Sequence, residues 1–501
     1  MTRHHVPRGA ACESRPPRQE GGKVFGSGSR TGVAILVAVK RKDVDGPCKL
    51  HYHGVAEYLT REEKLAGLDP ANLTSVPWTR LTPHESGDWV NQRSDSFGGF
   101  PRLGSKESTG VQPPHFSTYS LGLATGRDAW CYNFAEGVVS ESMTRMIAAY
   151  NEQVRRAAGV ENKLDNDPTQ ISWNRELIRD ATRGIQHEFK PESVRTSAYR
   201  PFCKINSYFD RPLNAMIYRL ASIFPTPAHT NLGISIMAPR PGTNFAVVAT
   251  NELPDLNMFV YPAQFFPRWT YEKASTGEQD SLMASTAHVD EWGYRRVDNI
   301  TDGILALYQA KFGPKVAKDD VFSYVYGVLH SEQYRTTFAA DLKRMLPRIP
   351  LAASTSDFEA FVEAGRKLAD LHVNYETVEP YPLAEQTPFV TDPWQTYRVE
   401  KMRWADKTTK KSIVYNSHIT LGDIPAEANR YMLGSRSALE WLIDRYQVKT
   451  DKDSGIVNDP NDWCREHGNP RYIVDLVKRV TRVSVETMKI VDSLPELPLG
   501  Q

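Results

Sequence analysis

The residues of this chain best suited to chemistry are cations interleaved with aromatic rings, and the chemistry they offer is the binding of phosphates. Between Arg195 and Arg219 the sequence carries Arg195, Arg200, Lys204, Arg211 and Arg219 against Asp210 alone, with Tyr199, Phe202, Tyr208 and Phe209 among them. A second cluster sets Lys401, Arg403, Lys407, Lys410 and Lys411 against Asp406, where a hairpin is predicted with its turn near Asp406 to Thr409. A third, from Arg471 to Lys489, places Lys478, Arg479 and Arg482 on one side of a predicted helix. Cations that neutralise nucleic-acid phosphates release counterions, and a two-stranded ribbon fits the major groove of DNA. The competing reading of all three is a solvated charged face. Arg127, in the small-residue loop Thr125-Gly126-Arg127-Asp128 ahead of a predicted strand, suits a phosphate or an ion pair with Asp128 equally. Asn91, Gln92, Arg93 and Lys106 lie in an irregular early segment whose loops suit base readout, Arg to guanine and Asn or Gln to adenine.

Signatures of catalysis are missing. Methylation of a base amino group needs a short acidic or amide residue followed by Pro-Pro-aromatic, which holds the flipped base. The nearest strings are Gln112-Pro113-Pro114-His115 and Asp392-Pro393-Trp394, both read as turns. Phe25-Gly26-Ser27-Gly28 has the glycine spacing of a nucleoside-cofactor loop, but it precedes a predicted strand instead of following one, and is read as a turn. No G-x-x-x-x-G-K-[ST] loop and no metal-dependent nuclease pattern occurs. His51 and His53 share one face of a predicted strand without a third ligand nearby, which favours packing over metal binding.

Composition bounds the rest. A chain of 501 residues, 40% hydrophobic and 24% charged, accommodates two to four globular domains. Its net charge of +1 means that any nucleic-acid surface comes from local clustering of cations. Five widely spaced cysteines without C-x-x-C argue against a disulfide framework and a structural zinc site, and fit a reducing compartment. No apolar run approaches the roughly 20 residues that span a bilayer. A cytoplasmic protein without a membrane partner is expected.

The elements that must position these residues read as an α+β fold. Residues 1–22 are a disordered or degenerate leader. The run Gly32 to Val39, GVAILVAV, reads as an edge strand of α/β type buried on both faces, with Lys49 to His53 beside it. Thr60 and Glu63 form a capping box. Glu136 to Ala158 is an amphipathic helix with Val139, Met143, Met146, Ile147, Tyr150 and Val154 inward. GISIM from Gly233 and FAVVA from Phe245 are strands of a mixed, β-rich part. From Thr301 onward helices dominate, one opened near Asp357 by Ser356 with Glu359 as reciprocal cap, and others at Ala438 to Tyr446 and Tyr472 to Val491. The predicted organisation is an α/β piece at 23–70, a mixed part at 71–300, and a mainly helical part at 301–501 with a β hairpin near 397–420.

The literal wording of several stretches adds a family. VFSYVYGVLHSEQYR from Val321, LKRMLPRIPL from Leu342 and FEAFVEAGRKLADLHVNYE from Phe358 resemble the C-terminal part of Type ISP restriction-modification enzymes. So do FGSGSRTGVAI from Phe25, GRDAWCYNF from Gly126, YRPFCKINSYFD from Tyr199, DNITDGIL from Asp298 and SALEWLIDRYQVKTDKDSGIVNDPNDW from Ser437. The complete enzymes of that family are single polypeptides joining a nuclease, an ATP-driven DNA translocase, an adenine-N6 methyltransferase and a target-recognition domain. S-adenosylmethionine, ATP and Mg are implied for the complete enzyme, and no cofactor for this chain. The resemblance implies that 23–70 is the tail of the methyltransferase domain, its remaining sheet missing and its edge exposed, and that 71–501 is the target-recognition domain. The function it implies is sequence-specific recognition of double-stranded DNA by a module that is not catalytic alone. A truncated, frameshifted or split product is expected, with a separate chain carrying the methyltransferase and translocase parts. The alternatives are an active site-specific DNA adenine-N6 methyltransferase and a structural remnant that does not bind.

Overall fold

The computed structural model describes residues 34–40, 46, 48–55, 60, 62–63, 76–90, 92–105, 112–157, 164–240, 243–274, 288–387 and 392–499. The leader 1–22 and Phe25 to Gly28 lie outside them.

Alternation along two apolar strands explains how the molecule is put together. Gly233–Met237 and Ala246–Thr250 pair antiparallel and are buried at every position. They sit in a four-stranded sheet, in the order Ser120–Leu121, Gln264–Pro267, Gly233–Met237, Ala246–Thr250. Ile234, Ile236, Val247 and Ala249 point into one core, which they share with the helices after residue 300. Met237, Ala246 and Val248 point into another, shared with the C-terminal elements. A sheet covered on both faces needs apolar residues at both parities, which is why these strands read as continuous runs. Both cores draw on residues from either side of position 300.

A second sheet runs Tyr132–Asn133, Cys203–Tyr208, Val194–Arg200, Leu253–Pro254, with a register irregularity between Ala198 and Arg200. The predicted amphipathic helix is Glu136–Ala157, and all six of its stripe residues are buried against this sheet and the helix Arg175–Thr182. Among the later helices, Lys318–His330 is buried continuously from Val321 to His330, where, after a charged first turn, the run is mostly apolar and aromatic on every side. It crosses Thr355–Val373 where two glycines meet backbone. A Cβ on Gly365 would fall inside contact distance of the Ser323 carbonyl oxygen, and one on Gly327 would lie 2.5 Å from that of Phe361. The helix Thr355–Val373 starts earlier than expected. Its cap is Ser354, whose hydroxyl accepts from the Asp357 N–H at 3.1 Å, so the Ser356 cap is corrected by two residues.

Two expectations near the beginning are corrected. Residues 34–40 form no strand, and Ile35, Leu36, Val37 and Val39 are exposed, because no described neighbour supplies a sheet to pair with. Leu50–Tyr52 pairs antiparallel with Thr79–Leu81 and not with that run. The capping box is present: Thr60 N–H donates to Glu63 Oε2 at 2.7 Å and Glu63 N–H to Thr60 Oγ1 at 3.2 Å. No described helix is long and apolar enough to cross a membrane.

Candidate nucleic-acid interface

Three cations of the first cluster, Arg195, Arg200 and Lys204, lie on the hairpin Val194–Arg200 and Cys203–Tyr208 and are held by internal partners. Arg200 stacks on the Tyr199 ring at 3.9 Å and pairs with Asp255 at 2.6 Å. Burial pushes the Asp255 carboxyl up to about 6, against the pull of that guanidinium. Lys204 pairs with Glu376 at 2.9 Å, and Arg195 donates to the Phe224 carbonyl at 2.7 Å. Arg211 and Arg219 remain exposed, without a carboxylate partner among the described residues.

Arg127 is placed inside, not in an open loop. It precedes the short helix Asp128–Cys131, with the strand Tyr132–Asn133 beyond it. Its guanidinium is buried without a hydrogen-bond partner among the described residues, and burial lowers its pKa. Asp128 bonds instead to the Thr125 hydroxyl and, at 3.5 Å, to that of Tyr199. Gln92 and Arg93 tie their own loop together. Gln92 Nε2 donates to the Thr82 carbonyl at 2.6 Å, and Arg93 Nε donates to Asp88 at 2.8 Å. Lys106 and Asn91 lie outside the described residues. On the helix Tyr472–Asp492, Lys478 reaches Glu385 at 2.5 Å, and Arg471 just before the helix holds the same carboxylate with two nitrogens at 2.9 Å. The Arg471 hydrogen bond leads in lowering Glu385 to about 2.

The hairpin cluster differs from the rest. Arg403–Trp404 pairs with Ile413–Val414. The Asp406 carboxylate closes the turn by accepting from the N–H groups of Thr408 at 2.9 Å and Thr409 at 3.4 Å. Lys410 takes the left-handed φ of 49° that brings the chain back, and pairs with Glu440 at 2.8 Å. Period-two alternation buries Met402, Trp404 and Ile413 and turns Lys401 and Arg403 outward. Lys401, Arg403, Lys407 and Lys411 are exposed and have no carboxylate partner among the described residues. Lys401 bridges to Gln447, which lines a cleft with Tyr199, Arg445, Lys449 and Asn458. No local pattern points to Arg445, Gln447 and Lys449 as part of this surface, because only tertiary pairing brings them to the hairpin.

Neither near-match to a methyltransferase motif is arranged to receive a base. His115 is buried, with Nε2 2.9 Å from the Tyr308 hydroxyl and Nδ1 3.0 Å from the Arg102 carbonyl oxygen, and burial lowers it to about 4. Pro113 packs against Gly303. Asp392 caps the turn Pro393–Thr396 by accepting from the Trp394 N–H at 2.9 Å. Both strings are thus engaged within the fold, His115 by Tyr308 and Arg102 and Asp392 by its own turn, and neither presents the residues that would hold S-adenosylmethionine or a flipped adenine. His51 pairs across to Arg80 and the His53 ring packs on Trp78; among the described residues no group of His, Cys, Asp and Glu is placed to hold a metal ion.

The profile of the Type ISP C-terminal specificity domain matches residues 114–476. The chain belongs to that family. Three solved Type ISP or similar structures superpose on nearly all of it. A nuclease-deletion mutant of the Type ISP restriction-modification enzyme LlaGI, in complex with a DNA substrate mimic, has a TM-score of 0.78 and 36% identity, over 97% of this chain and 42% of that one. The ATP-dependent Type ISP enzyme LlaBIII bound to DNA gives 0.80 and 31%, over 98% and 30%. The DrdV–DNA complex gives 0.77 and 30%, over 98% and 47%. This Type ISP specificity chain thus spans less than half the length of each. No curated protein sequence matches it.

Proposed function

We propose that this chain is a DNA target-recognition module: it binds duplex DNA at a preferred sequence and positions it. The observation that carries the reading is the hairpin, where Lys401, Arg403, Lys407 and Lys411 stand exposed without carboxylate partners while most neighbouring cations are paired internally. Exposed cations on a two-stranded ribbon suit phosphates along a groove. The DNA complexes of LlaGI, LlaBIII and DrdV support the same partner. Methyl transfer, translocation and cleavage then belong to residues other than those described, carried by a further chain segment or a separate chain.

The test is selection of bound duplexes from a random library by the purified chain, at moderate salt and with excess non-specific competitor. Enrichment of one motif is expected. Retention of duplexes without enrichment, or no retention by folded protein, contradicts the reading.

A further inference from the structure

Two loops beside one short strand leave apolar side chains in solvent and hold two of them there by left-handed backbone. Residues 120–125 are flanked on one side by 215–219: the Ala124 N–H donates to the Met216 carbonyl at 2.9 Å, the Ala215 N–H to that of Thr125 at 3.1 Å, and the Arg219 N–H to Ser120 Oγ at 3.1 Å. On the other side, the Leu123 N–H donates to the Pro254 carbonyl at 2.7 Å and the Leu256 N–H to that of Leu123 at 2.8 Å, before Gln264 returns to pair with Leu121. The loops 215–219 and 256–263 therefore bracket the same strand. Met216, Tyr218, Val260 and Tyr261 project from them, 48%, 37%, 46% and 39% exposed.

Tyr218 has φ 46° and Val260 φ 82°, a region that a bulky or β-branched residue adopts only under constraint. One exposed apolar residue needs no explanation. Four on adjoining loops, two at strained positions, match the expectation that strain persists where a surface is preorganised for binding. Arg219 belongs to the first of these loops and Arg211 precedes it by a few residues along the chain; both are exposed and have no carboxylate partner among the described residues. The nearby acids are engaged elsewhere, Asp255 by Arg200 and Asp210 by Lys190. An apolar centre with a cationic rim is complementary to a duplex groove, where apolar side chains meet base steps or sugars and cations meet flanking phosphates.

We propose that this surface contacts duplex DNA, with Tyr218 and Tyr261 in a groove and Arg211 and Arg219 on the adjoining phosphates. The inference rests on the reading of the chain as a DNA-recognition module and adds a contact surface on a different sheet from the Arg403–Val414 hairpin. The experiment uses the full chain and the duplex that the selection enriches. Binding is followed by fluorescence anisotropy, and tyrosine-selective nitration is mapped by mass spectrometry with and without saturating duplex.

Protection of Tyr218 and Tyr261 by the duplex is expected. Tyr218→Ala and Tyr261→Ala should each weaken binding about tenfold, the loss of one well-buried contact, with the salt dependence unchanged. Arg211→Gln and Arg219→Gln should each lower the slope of log affinity against log salt by about one. Anisotropy that reports binding while both tyrosines stay equally reactive overturns this inference and leaves the broader reading intact. A chain that enriches no duplex overturns both. The nitration of unmodified protein decides the matter even where a variant does not fold.

Discussion

A cation counts toward an interface only after its internal partners are known. Arg200 and Lys407 look alike in the sequence, yet Arg200 is held 2.6 Å from a buried Asp255 while Lys407 stands in solvent. Their substitutions should separate cleanly. Lys407→Ala and Lys411→Ala should each lower affinity for every duplex alike and reduce the salt slope by about one, with stability changed by less than about 0.5 kcal/mol. Arg200→Ala leaves Asp255 buried and unpaired, which should cost about 3–5 kcal/mol of folding stability. Urea midpoints and anisotropy titrations on the same preparations check both, and an Arg200 variant of native stability would contradict the structure. Composition located the clusters, but pairing with Asp255, Glu376 and Glu385, far away in sequence, was not legible in them.

Elements were more legible where a single period governed them. The helix Glu136–Ala157 and the strands Gly233–Met237 and Ala246–Thr250 follow from spacing, because each buries what its period dictates. Less legible was the crossing of Lys318–His330 with Thr355–Val373, since a glycine inside a helical pattern does not announce what approaches it. Gly365→Ala tests that crossing. On an isolated helix the change stabilises by about 1 kcal/mol, but here the added methyl meets the Ser323 carbonyl. A loss of about 1–3 kcal/mol is expected, read as a lower urea midpoint. Any gain in stability would mean that the helices are not in backbone contact. The exposed run 34–40 shows the opposite case, in which a strand-like pattern forms no strand because a strand needs a neighbour.

For the whole molecule, the shared cores make stability a collective property and place several histidines deep inside. His372 Nδ1 lies 2.6 Å from the Tyr326 hydroxyl and its Nε2 lies 2.9 Å from that of Thr487, joining three helices. Burial lowers His372 to about 3 and His115 to about 4, and holds His330 well below its usual value. All three are neutral when folded, whereas an unfolded imidazole takes up a proton near pH 6.5. Their contribution is therefore complete above about pH 6.5 and is lost as acid is added, by about 1.4 kcal/mol per pH unit for each histidine down to about pH 4. Asp255 works in the other direction, because its raised pKa of about 6 makes acidification favourable to the fold between about pH 6 and 4. Burial also raises Glu252, Asp341 and Asp462, and it lowers His187 as well; the fully buried imidazoles outweigh these partly buried carboxyls and leave a net fall. Urea midpoints at pH 7.5, 6 and 5 should decline, and His372→Gln should flatten the decline by roughly one histidine's share. A midpoint constant from pH 7.5 to 5 would contradict this account.

By itself the sequence determined the family, through wording that no composition would produce by chance, and the α+β class, through the two periods of its apolar residues. It also located the Arg403–Val414 hairpin and its turn, because Asp406 and the residues after it carry their own turn chemistry. Only the tertiary structure decided which charges are available. Ion pairs form between residues whose separation along the chain carries no information about their separation in space. For the same reason the loops at 215–219 and 256–263 become a single surface only when the strand between them brings both to one place.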